Sequence, residues 1–374
     1  MKSENIVIQV AHGRLIPSYS SAYSKRCVRY LSNLENRMIF TTGGLIFHDE
    51  ESDGIKQYRS ILMTGLALLK GGRSLEILLS KGKWLRKRYL KDLRSAVEKS
   101  HVIVFEGPWQ FYLLKDLLAG KIVVYDAHNV EYLLRKNSPW ENYTRKLESE
   151  LVRRADHIVT LSDDDVNSFI ELYGKENYMV TGLAEGYERP ICTWNGVISR
   201  ELIFIGSAYV PNLEAANNIV SIAHILPEYT FKIVGSVCNS LRKWNLPENV
   251  KLLGVLDDIA KEKEICKSFL ALNPVLTGSG RNTKMIDYIS HGIPIITTET
   301  GARGFSPEIR RFFDIGEPNE FPALIRKAET NGNLLLEKSS GMIDYAQKND
   351  YEKTMQKSVK LFQSLFEKLQ ETGK

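Results

Sequence analysis

The sequence lacks long uncharged apolar runs and has few cysteines. Its most apolar uncharged stretch, Ser60–Leu69, is far shorter than the roughly 20 residues that span a bilayer. The N-terminal MKSENIVIQV has no signal-peptide core. The four cysteines are scattered, without a CxxC pair or a neighbouring histidine, which argues against a zinc site or a disulfide framework. We therefore expect a soluble protein of the reducing cytoplasm, whose cysteines are small buried residues.

The length and the order of the apolar runs indicate two α/β domains. Because a single core stops growing near about 250–300 residues, a chain of 374 residues favours two domains. Short runs rich in Val and Ile alternate with helical patterns, which is typical of βαβ units and parallel sheets. The alternation stops in residues 181–196, which hold three glycines and a proline, and then restarts. This segment is predicted to be a linker.

The individual elements are predicted from periodicity and turn signals. Strands are expected at Ile6–Val10, Arg37–Thr41, Val102–Phe105, Ile122–Tyr125, His157–Leu161, Leu202–Ile205, Phe231–Val234, Val250–Leu253, Phe269–Leu272 and Ile293–Thr297. Helices are expected at Ser20–Asn33, Gln110–Leu118, Leu213–Ile225, from near Thr283, and at Tyr351–Leu369 after a loose polar stretch. Ser162 and Asp257 are interpreted as helix caps, so the acidic residues beside them are not expected to bind a metal.

The basic residues are concentrated in one segment, Lys81–Arg94. Its sequence, KGKWLRKRYLKDLR, has seven basic residues and one acidic residue, a net +6 against +5 for the whole chain. Apolar residues recur in this segment at helical spacing, at Trp84, Leu85, Tyr89, Leu90 and Leu93. Two interpretations follow: a solvated amphipathic helix packed on the core, or a patch for an anionic membrane surface. No nucleic-acid-binding motif accompanies this charge, so no nucleic acid partner is expected.

The segment GSGRNTK, residues 278–284, lies between a predicted strand and a predicted helix. Its two glycines let the backbone turn tightly and approach a ligand. The helix start offers free N–H groups and the positive end of its dipole, to which Arg281 and Lys284 add charge. A diphosphate pocket is therefore expected, with a merely basic surface loop as the alternative. Asp287, one turn later, would meet ribose hydroxyls or pair with Lys284.

Residues 273–304, NPVLTGSGRNTKMIDYISHGIPIITTETGARG, resemble the donor-binding segment of GT-B glycosyltransferases, specifically the retaining family-4-like group. The family ending G-x-P-[IV]-[IV]-x-T and the loop beyond it are matched by Gly292, Pro294, Ile295, Ile296, Thr298, Gly301 and Gly304. Further similar segments follow the family's order: Val123–Tyr132, Ala155–Val166, Phe204–Ala216, Phe231–Gly235 and Val250–Gly254. Together they cover most of residues 100–310.

The resemblance implies a fold and a set of site residues. The fold would be GT-B, two Rossmann-like parallel-sheet domains facing each other across a cleft. Residues 1–185 would bind the acceptor and residues 186–350 the nucleotide sugar, with a final helix in residues 351–374 packing back toward the first domain. The catalytic residues would be His128, Lys284 and Arg281. Donor-binding residues would be Gly206, Ser207, Val255, Leu256, Gly278, Ser279, Gly280, Asn282, Thr283 and Asp287. The acceptor side would include Gly13, Glu106 and Asn129.

The implied reaction moves a sugar from a UDP or GDP sugar to a hydroxyl of a glycan or lipid-linked acceptor, in polysaccharide or glycan biosynthesis. Retention of configuration, no metal and no cofactor are expected, with the protein cytoplasmic or peripheral at the inner membrane face. Ser279 and Asp287 stand where many family members have two glutamates, which leaves the sugar and the stereochemistry open. A nucleotide-sugar 2-epimerase and a non-catalytic GT-B subunit that binds a partner or membrane are the alternatives.

Overall fold

The structure is a computed structural model of the chain, and it describes residues 5–16, 22–42, 48–60, 75–82, 87–174, 179–183, 186–278 and 280–371. The chain divides into two compact units. Residues 1–185 and 352–374 form the first unit, and residues 186–351 form the second. In the described residues, the first unit contains a sheet of eight strands and the second a sheet of six. Each sheet is flanked by helices, so the predicted α/β class with parallel sheets is observed.

The first unit is built on strands β1 (Val7–His12), β2 (Arg37–Thr42), β3 (Glu50–Ser52), β4 (Ile55–Tyr58), β5 (Val102–Phe105), β6 (Ile122–Ala127), β7 (His157–Thr160) and β8 (Met179–Gly182). Their order is β3-β4-β2-β1-β5-β6-β7-β8. Its helices are Ala22–Arg29, Leu75–Lys81, Lys87–Glu98, Phe111–Leu114, Glu131–Leu134, Glu141–Arg154, Asp163–Tyr173 and Tyr351–Glu371, with a 3-10 turn at Lys115–Leu117. The last helix packs on this unit through Phe362, Leu365 and Phe366, which share a core with Val102 and Val104.

One edge of the first sheet departs from the expected parallel pattern. Strands β3 and β4 pair antiparallel, and neither was predicted. The two residues between them, Asp53 and Gly54, have φ angles of 50° and 75°. Asp-Gly with both φ values positive is the sequence signal of a type I′ hairpin turn. The polar strand residues hid this hairpin from a search for apolar runs.

The second unit is built on strands β9 (Glu201–Ile205), β10 (Thr230–Val234), β11 (Val250–Gly254), β12 (Leu270–Asn273), β13 (Ile295–Thr297) and β14 (Asp314–Ile315). Its helices are Val210–Ile225, Val237–Leu241, Asp258–Lys267, Lys284–His291, Glu299–Ala302, Pro307–Arg310, Phe321–Glu329 and Gly332–Lys348. The strand order β11-β10-β9-β12-β13-β14 is the Rossmann order 3-2-1-4-5-6 in chain sequence.

Each sheet has a point where the strand order reverses. In the second unit the neighbours at this point are β9 and β12, and in the first unit they are β1 and β5. The chain leaves these two neighbours in opposite directions, so a crevice opens beyond their carboxyl ends, where open α/β sheets bind ligands. We call these places the second-unit and first-unit switch points.

Three expectations about the connections and the cysteines are wrong. The linker begins later than predicted, because Thr181 and Gly182 belong to β8. Much of the polar stretch before the last helix is helical, at Phe321–Glu329 and Gly332–Lys348. Cys192 and Cys266 form a disulfide across a sequence separation of 74 residues. Folding brings this pair together, and the spacing of the cysteines gives no sign of it.

Both predicted helix caps are confirmed. Ser162 caps its helix by accepting from the Asp165 N–H at 3.2 Å, and Asp257 accepts from the Ala260 N–H at 2.7 Å. Cys27 and Cys238 are buried free thiols. In the part of the chain that is described, no helix is both long and apolar enough to cross a membrane.

The basic segment is only partly described, since residues 83–86, with Trp84 and Leu85, lie outside the described residues. In the helix Lys87–Glu98, Tyr89 and Leu93 form a buried apolar side. Arg88 lies 3.4 Å from Asp49, and Arg94 pairs with Asp116. The described residues 87–94 thus lie in an amphipathic helix, as in the first interpretation, whereas Lys81 ends the separate helix Leu75–Lys81. Binding to an anionic membrane stays a prediction.

Candidate functional site

A pocket of about 180 Å³ lies at the second-unit switch point, just beyond the ends of β9 and β12. Three cationic side chains line it: Arg281, Lys284 and Arg303. Among the described residues of its lining there is no carboxylate. A concave site with this charge and polar neighbours suits an anionic ligand such as a diphosphate. We call it the second-unit pocket.

Lys284, the first residue of its helix, extends across the strand ends. Its Nζ donates to Asn212 Oδ1 at 2.7 Å and to Asn273 Oδ1 at 3.3 Å. The ammonium also lies 4.7 Å from the ring centroid of Phe204. Burial lowers the pKa of Lys284 to about 7. Because a buried charge is costly without a partner, an anion beside Nζ would favour the charged form.

Arg281 is held by aromatic side chains at the edge of the same pocket. Its Nη2 donates to the Tyr187 hydroxyl at 2.7 Å, and its guanidinium lies 4.3 Å from the ring centroid of Phe305. Gly304 packs directly on this arginine, since a Cβ there would lie 3.2 Å from Arg281 Cβ, and its φ is 80°. Gly304, the second glycine of the GARG sequence, thus leaves room for Arg281 to pack against the backbone.

The backbone beyond β9 is shaped by two glycines. Gly235 has a φ of 105°, and a Cβ on it would lie 2.2 Å from the Gly206 carbonyl oxygen. Only glycine allows so close an approach. Ser207, which follows Gly206 in the chain, lines the pocket, and its Oγ accepts a hydrogen bond from Asn212 Nδ2 at 3.2 Å. Asn212 therefore connects Ser207 to Lys284.

The remaining predicted donor residues divide into two groups. Those that line the second-unit pocket are Gly278, Gly280, Asn282 and Thr283. Those outside its lining are Gly206, Val255, Leu256 and Asp287; Val255 is 73% exposed, and Leu256 packs on the core. Ser279 lies outside the described residues. Asn212, Asn273 and Arg303 were not predicted as site residues, although Asn273 and Arg303 both lie in the segment 273–304.

Asp287 does not pair with Lys284, so that alternative is wrong. Its Oδ2 lies 3.1 Å from Lys261 Nζ, and the same ammonium lies 3.3 Å from Asp258. Lys284 instead turns toward the two asparagines at the strand ends. Asp287 is thus held at the side of its helix by a neighbouring helix, with its side chain partly exposed.

The first-unit switch point holds acids and histidines instead. Glu106 follows β5 and is fully buried. His128, which follows β6, places its Nε2 2.7 Å from Glu106 Oε2. Gln9 Nε2 donates to the other carboxylate oxygen, and the Cys27 thiol lies 3.4 Å from Oε2. Burial is the main cause that raises the pKa of Glu106, and the negative charge of the nearby Asp126 adds to it. The hydrogen bond and charge of His128 oppose this rise.

Two further features of this place were not predicted. His12, the last residue of β1, has its Nδ1 2.9 Å from the Tyr23 hydroxyl, and the Tyr23 ring lies 4.7 Å from the His128 ring. Burial lowers the pKa of His12 to about 3, so its imidazole is neutral. Arg26 forms a buried two-point pair with Asp126, at 2.7 and 3.1 Å. His12 and Asp126 are polar residues at or near strand ends, which is a signal in the sequence, whereas Tyr23 and Arg26 lie on the helix Ala22–Arg29 and give no such signal.

The two other predicted acceptor-side residues lie at the same edge of this sheet. Gly13 directly follows β1 with a φ of 78°, and its N–H donates to the Thr42 carbonyl at 3.1 Å. Asn129 follows His128 and is half-buried. We call the set Gln9, His12, Tyr23, Cys27, Glu106 and His128 the first-unit cluster.

Two groups of described residues have side chains suited to a metal ion, and neither lines the second-unit pocket. One is Cys27, Glu106 and His128 within the first-unit cluster, and the other is Cys192, Cys266 and His291. In the second group the two cysteines are joined as the disulfide.

Two Rossmann-like units, each with a polar switch point, correspond to the GT-B fold. No protein-family model matches the chain, and no curated protein matches it significantly. Solved structures do match. HepE from Anabaena, solved with UDP, has 11% identity and a TM-score of 0.71, with 96% of this chain and 100% of that chain covered. It was also solved with UDP-glucose.

Two further structures are similar. The sucrose-phosphate synthase of Thermosynechococcus elongatus has 10% identity and a TM-score of 0.69, with 97% of this chain and 99% of that chain covered. The pneumococcal O-GlcNAc transferase GtfA, solved with UDP and GlcNAc, has 11% identity and a TM-score of 0.57, with 74% and 60% covered. Identities this low establish the fold alone. The predicted GT-B fold is confirmed, and the family-4-like assignment stays a prediction.

Proposed function

We propose that this chain is a glycosyltransferase that moves a sugar from a UDP-sugar to a hydroxyl group of an acceptor. The observation that carries the proposal is the second-unit pocket, where three cations and no described carboxylate line the crevice at a Rossmann switch point. The ligands of similar structures support the nucleotide, since HepE was solved with UDP and UDP-glucose and GtfA with UDP.

In this proposal the diphosphate binds against Lys284, Arg281 and Arg303, close to Ser207 and the loop Gly278–Thr283. The ribose is assigned to Asp287, and the base to the backbone near Val255 and Leu256. Negative charge grows on the leaving β-phosphate as the glycosidic bond breaks. Fixed cations and N–H groups stabilise that charge in place, as in preorganised anion holes. A divalent metal is therefore not required, and no cofactor takes part.

The first unit is proposed to serve the acceptor. His128 would bond a hydroxyl of the acceptor or of the donor sugar, or help to move its proton, and the buried Glu106 carboxylate fixes the orientation of that imidazole. Gly13 and Asn129 belong to the same side. The acceptor would be a glycan or a lipid-linked glycan, the latter at the inner membrane face through Lys81–Arg94. Retention, with attack on the face that the diphosphate leaves, is part of this proposal.

The test is calorimetry followed by a transfer assay on the full chain. We expect UDP and UDP-sugars to bind with similar affinity in EDTA, and UMP to bind much more weakly because it lacks the diphosphate. Ligand binding should raise the melting temperature by mass action. Radiolabelled donor incubated with glycan and lipid-linked acceptors should yield a labelled product.

Other outcomes would replace the proposal. A new sugar nucleotide formed without any acceptor would identify an epimerase. The absence of donor binding, transfer and hydrolysis would indicate a non-catalytic subunit. Activity that is lost in EDTA and restored by Mn²⁺ would contradict the metal-independent mechanism.

A further inference from the structure

A second side-chain cluster lies in the second unit, outside the pocket lining. It consists of Cys192 in the linker, Glu262 and Cys266 on the helix Asp258–Lys267, and His291 at the end of the helix Lys284–His291. The two sulfurs and a ring nitrogen of His291 lie within 4.8 Å of one another. Glu262 and Cys266 are four residues apart, so they share one face of their helix. We call this set the sulfur cluster.

The orientation of His291 is the feature that points to a ligand. The residue is only 3% exposed. Its Nδ1 lies 2.6 Å from the Asp287 carbonyl oxygen, and because a carbonyl only accepts, Nδ1 carries a proton. Nε2 has no hydrogen-bond partner, although it lies 3.4 Å from Glu262 Oε2. A histidine that donates Nδ1–H to a carbonyl and keeps a bare Nε2 is oriented as metal-bound histidines usually are.

Hydrogen bonds hold the cluster together in addition to the disulfide. The Ile191 N–H donates to Glu262 Oε2 at 2.7 Å, and the Trp194 N–H donates to the His291 carbonyl at 2.7 Å. The Trp194 indole also donates to the Ser268 carbonyl at 3.1 Å. These bonds tie the segment on both sides of the first cysteine to the two helices. After reduction, the two thiols would therefore stay close to each other and to the imidazole.

We propose that the reduced sulfur cluster binds a Zn²⁺ ion through Cys192, Cys266, His291 Nε2 and a Glu262 carboxylate oxygen. Two thiolates, an imidazole and a carboxylate are ligand types that zinc accepts in four-coordinate sites. In the first step, two thiols of an external reductant give two electrons and two protons to the disulfide, and they become a disulfide themselves. Zn²⁺ then displaces the two cysteine thiol protons to solvent. The disulfide and the zinc complex are alternative states of one site.

The experiment uses the full chain in its oxidised and its phosphine-reduced form, without oxygen. Zinc is titrated against a chromophoric chelator, and Co²⁺ is added to a second sample as a spectroscopic probe. The reduced chain should bind about one Zn²⁺, and the oxidised chain should bind none at that site. Cobalt should give thiolate charge-transfer absorption in the near ultraviolet in the reduced chain only.

Variants separate this site from adventitious metal binding. Cys266→Ser should abolish the cobalt band, and His291→Gln should weaken zinc binding by at least about 100-fold. Cys238→Ser is the matched control, because Cys238 is a buried free thiol in the same unit and should leave binding unchanged. Reduced wild-type protein that binds no more zinc than oxidised protein would overturn the proposal without any variant. If the additional zinc binding gained on reduction survived both ligand substitutions, that result would also overturn the proposal.

Discussion

The two switch points occupy the same place in two Rossmann-like sheets but carry opposite chemistry. Beyond β9 and β12 stand a lysine and two arginines without a described carboxylate. At the first-unit switch point, a buried glutamate after β5 meets two histidines, at the ends of β1 and β6, and a tyrosine from the helix Ala22–Arg29. The fold supplies the crevice in both cases, and the residues after each strand decide what it can bind. The first arrangement suits a leaving diphosphate, and the second suits a hydroxyl group and its proton.

The largest expected effect comes from removing the central cation of the second-unit pocket. We predict that Lys284→Ala lowers kcat/KM by about 10²–10³, because one preorganised donor to a developing anion contributes on the order of 2.7–4 kcal/mol. Steady-state kinetics with a UDP-sugar would measure the loss. The fold should remain intact, since the side chain is bound to neutral asparagines and not to a buried carboxylate.

The matched control is Lys263→Ala, an exposed lysine on a helix of the same unit. It should leave kcat/KM within a factor of about two, because exposed charges contribute little. If Lys284→Ala and Lys263→Ala had the same small effect, the assignment of the diphosphate to this pocket would fail.

The next effect concerns the first-unit cluster. Glu106→Gln keeps the side-chain volume but removes the carboxylate that orients His128. We predict that kcat falls by about 10–100-fold. This loss is no larger than the rate contribution of a positioned general acid or base, because His128 itself remains. KM for the donor should change little, and the pH dependence of kcat should shift. Glu98→Gln, at an exposed position of the same unit, is the control. A rise in donor KM with an unchanged kcat would place Glu106 on the donor side.

The difference between the switch points also shows what the sequence reveals. GSGRNTK runs from a strand to a helix, so Arg281 and Lys284 could be assigned to one pocket from local order. Asn212 reaches Lys284 from a sequence distance of 72 residues, and Glu106 meets His128 across 22 residues. Such contacts follow from strand order and register, which hydrophobic periodicity does not encode. The Cys192–Cys266 disulfide was missed for the same reason.

The third effect is a proton that accompanies the donor. Burial lowers the pKa of free Lys284 to about 7, so its amine is largely neutral at pH 8.5. A bound diphosphate favours the ammonium and raises this pKa. Above pH 7, donor binding should therefore be accompanied by the uptake of up to about one proton by Lys284. Donor affinity should fall by up to about tenfold for each unit by which the pH rises. Calorimetry in buffers of different ionisation enthalpy measures the uptake. A UDP-sugar is preferable to UDP as the ligand, because the terminal phosphate of UDP itself titrates at about pH 6 and would add to the proton uptake.

Lys284→Met is the control for this proton, and it also changes stability. The substitution should abolish the uptake. Because the folded pKa of Lys284 lies below the unfolded value, burying its charge destabilises the free wild-type protein below pH 7, and this cost fades as the pH rises toward the unfolded pKa of about 10.4. The variant should therefore unfold at higher temperature than wild type at pH 6, with a smaller difference at pH 9. Proton uptake that persists in the variant would assign the proton to another group.

The smallest effect tests how Arg281 is held. Its guanidinium contacts the faces of Tyr187 and Phe305 and donates to the Tyr187 hydroxyl. Tyr187→Phe removes only the hydroxyl, so the two ring faces should keep the arginine in place. We expect donor affinity to fall by less than about tenfold, the equivalent of one ordinary hydrogen bond, in a calorimetric titration with UDP. A loss of affinity well above tenfold would mean that the hydroxyl alone positions Arg281, and that the two ring faces contribute little.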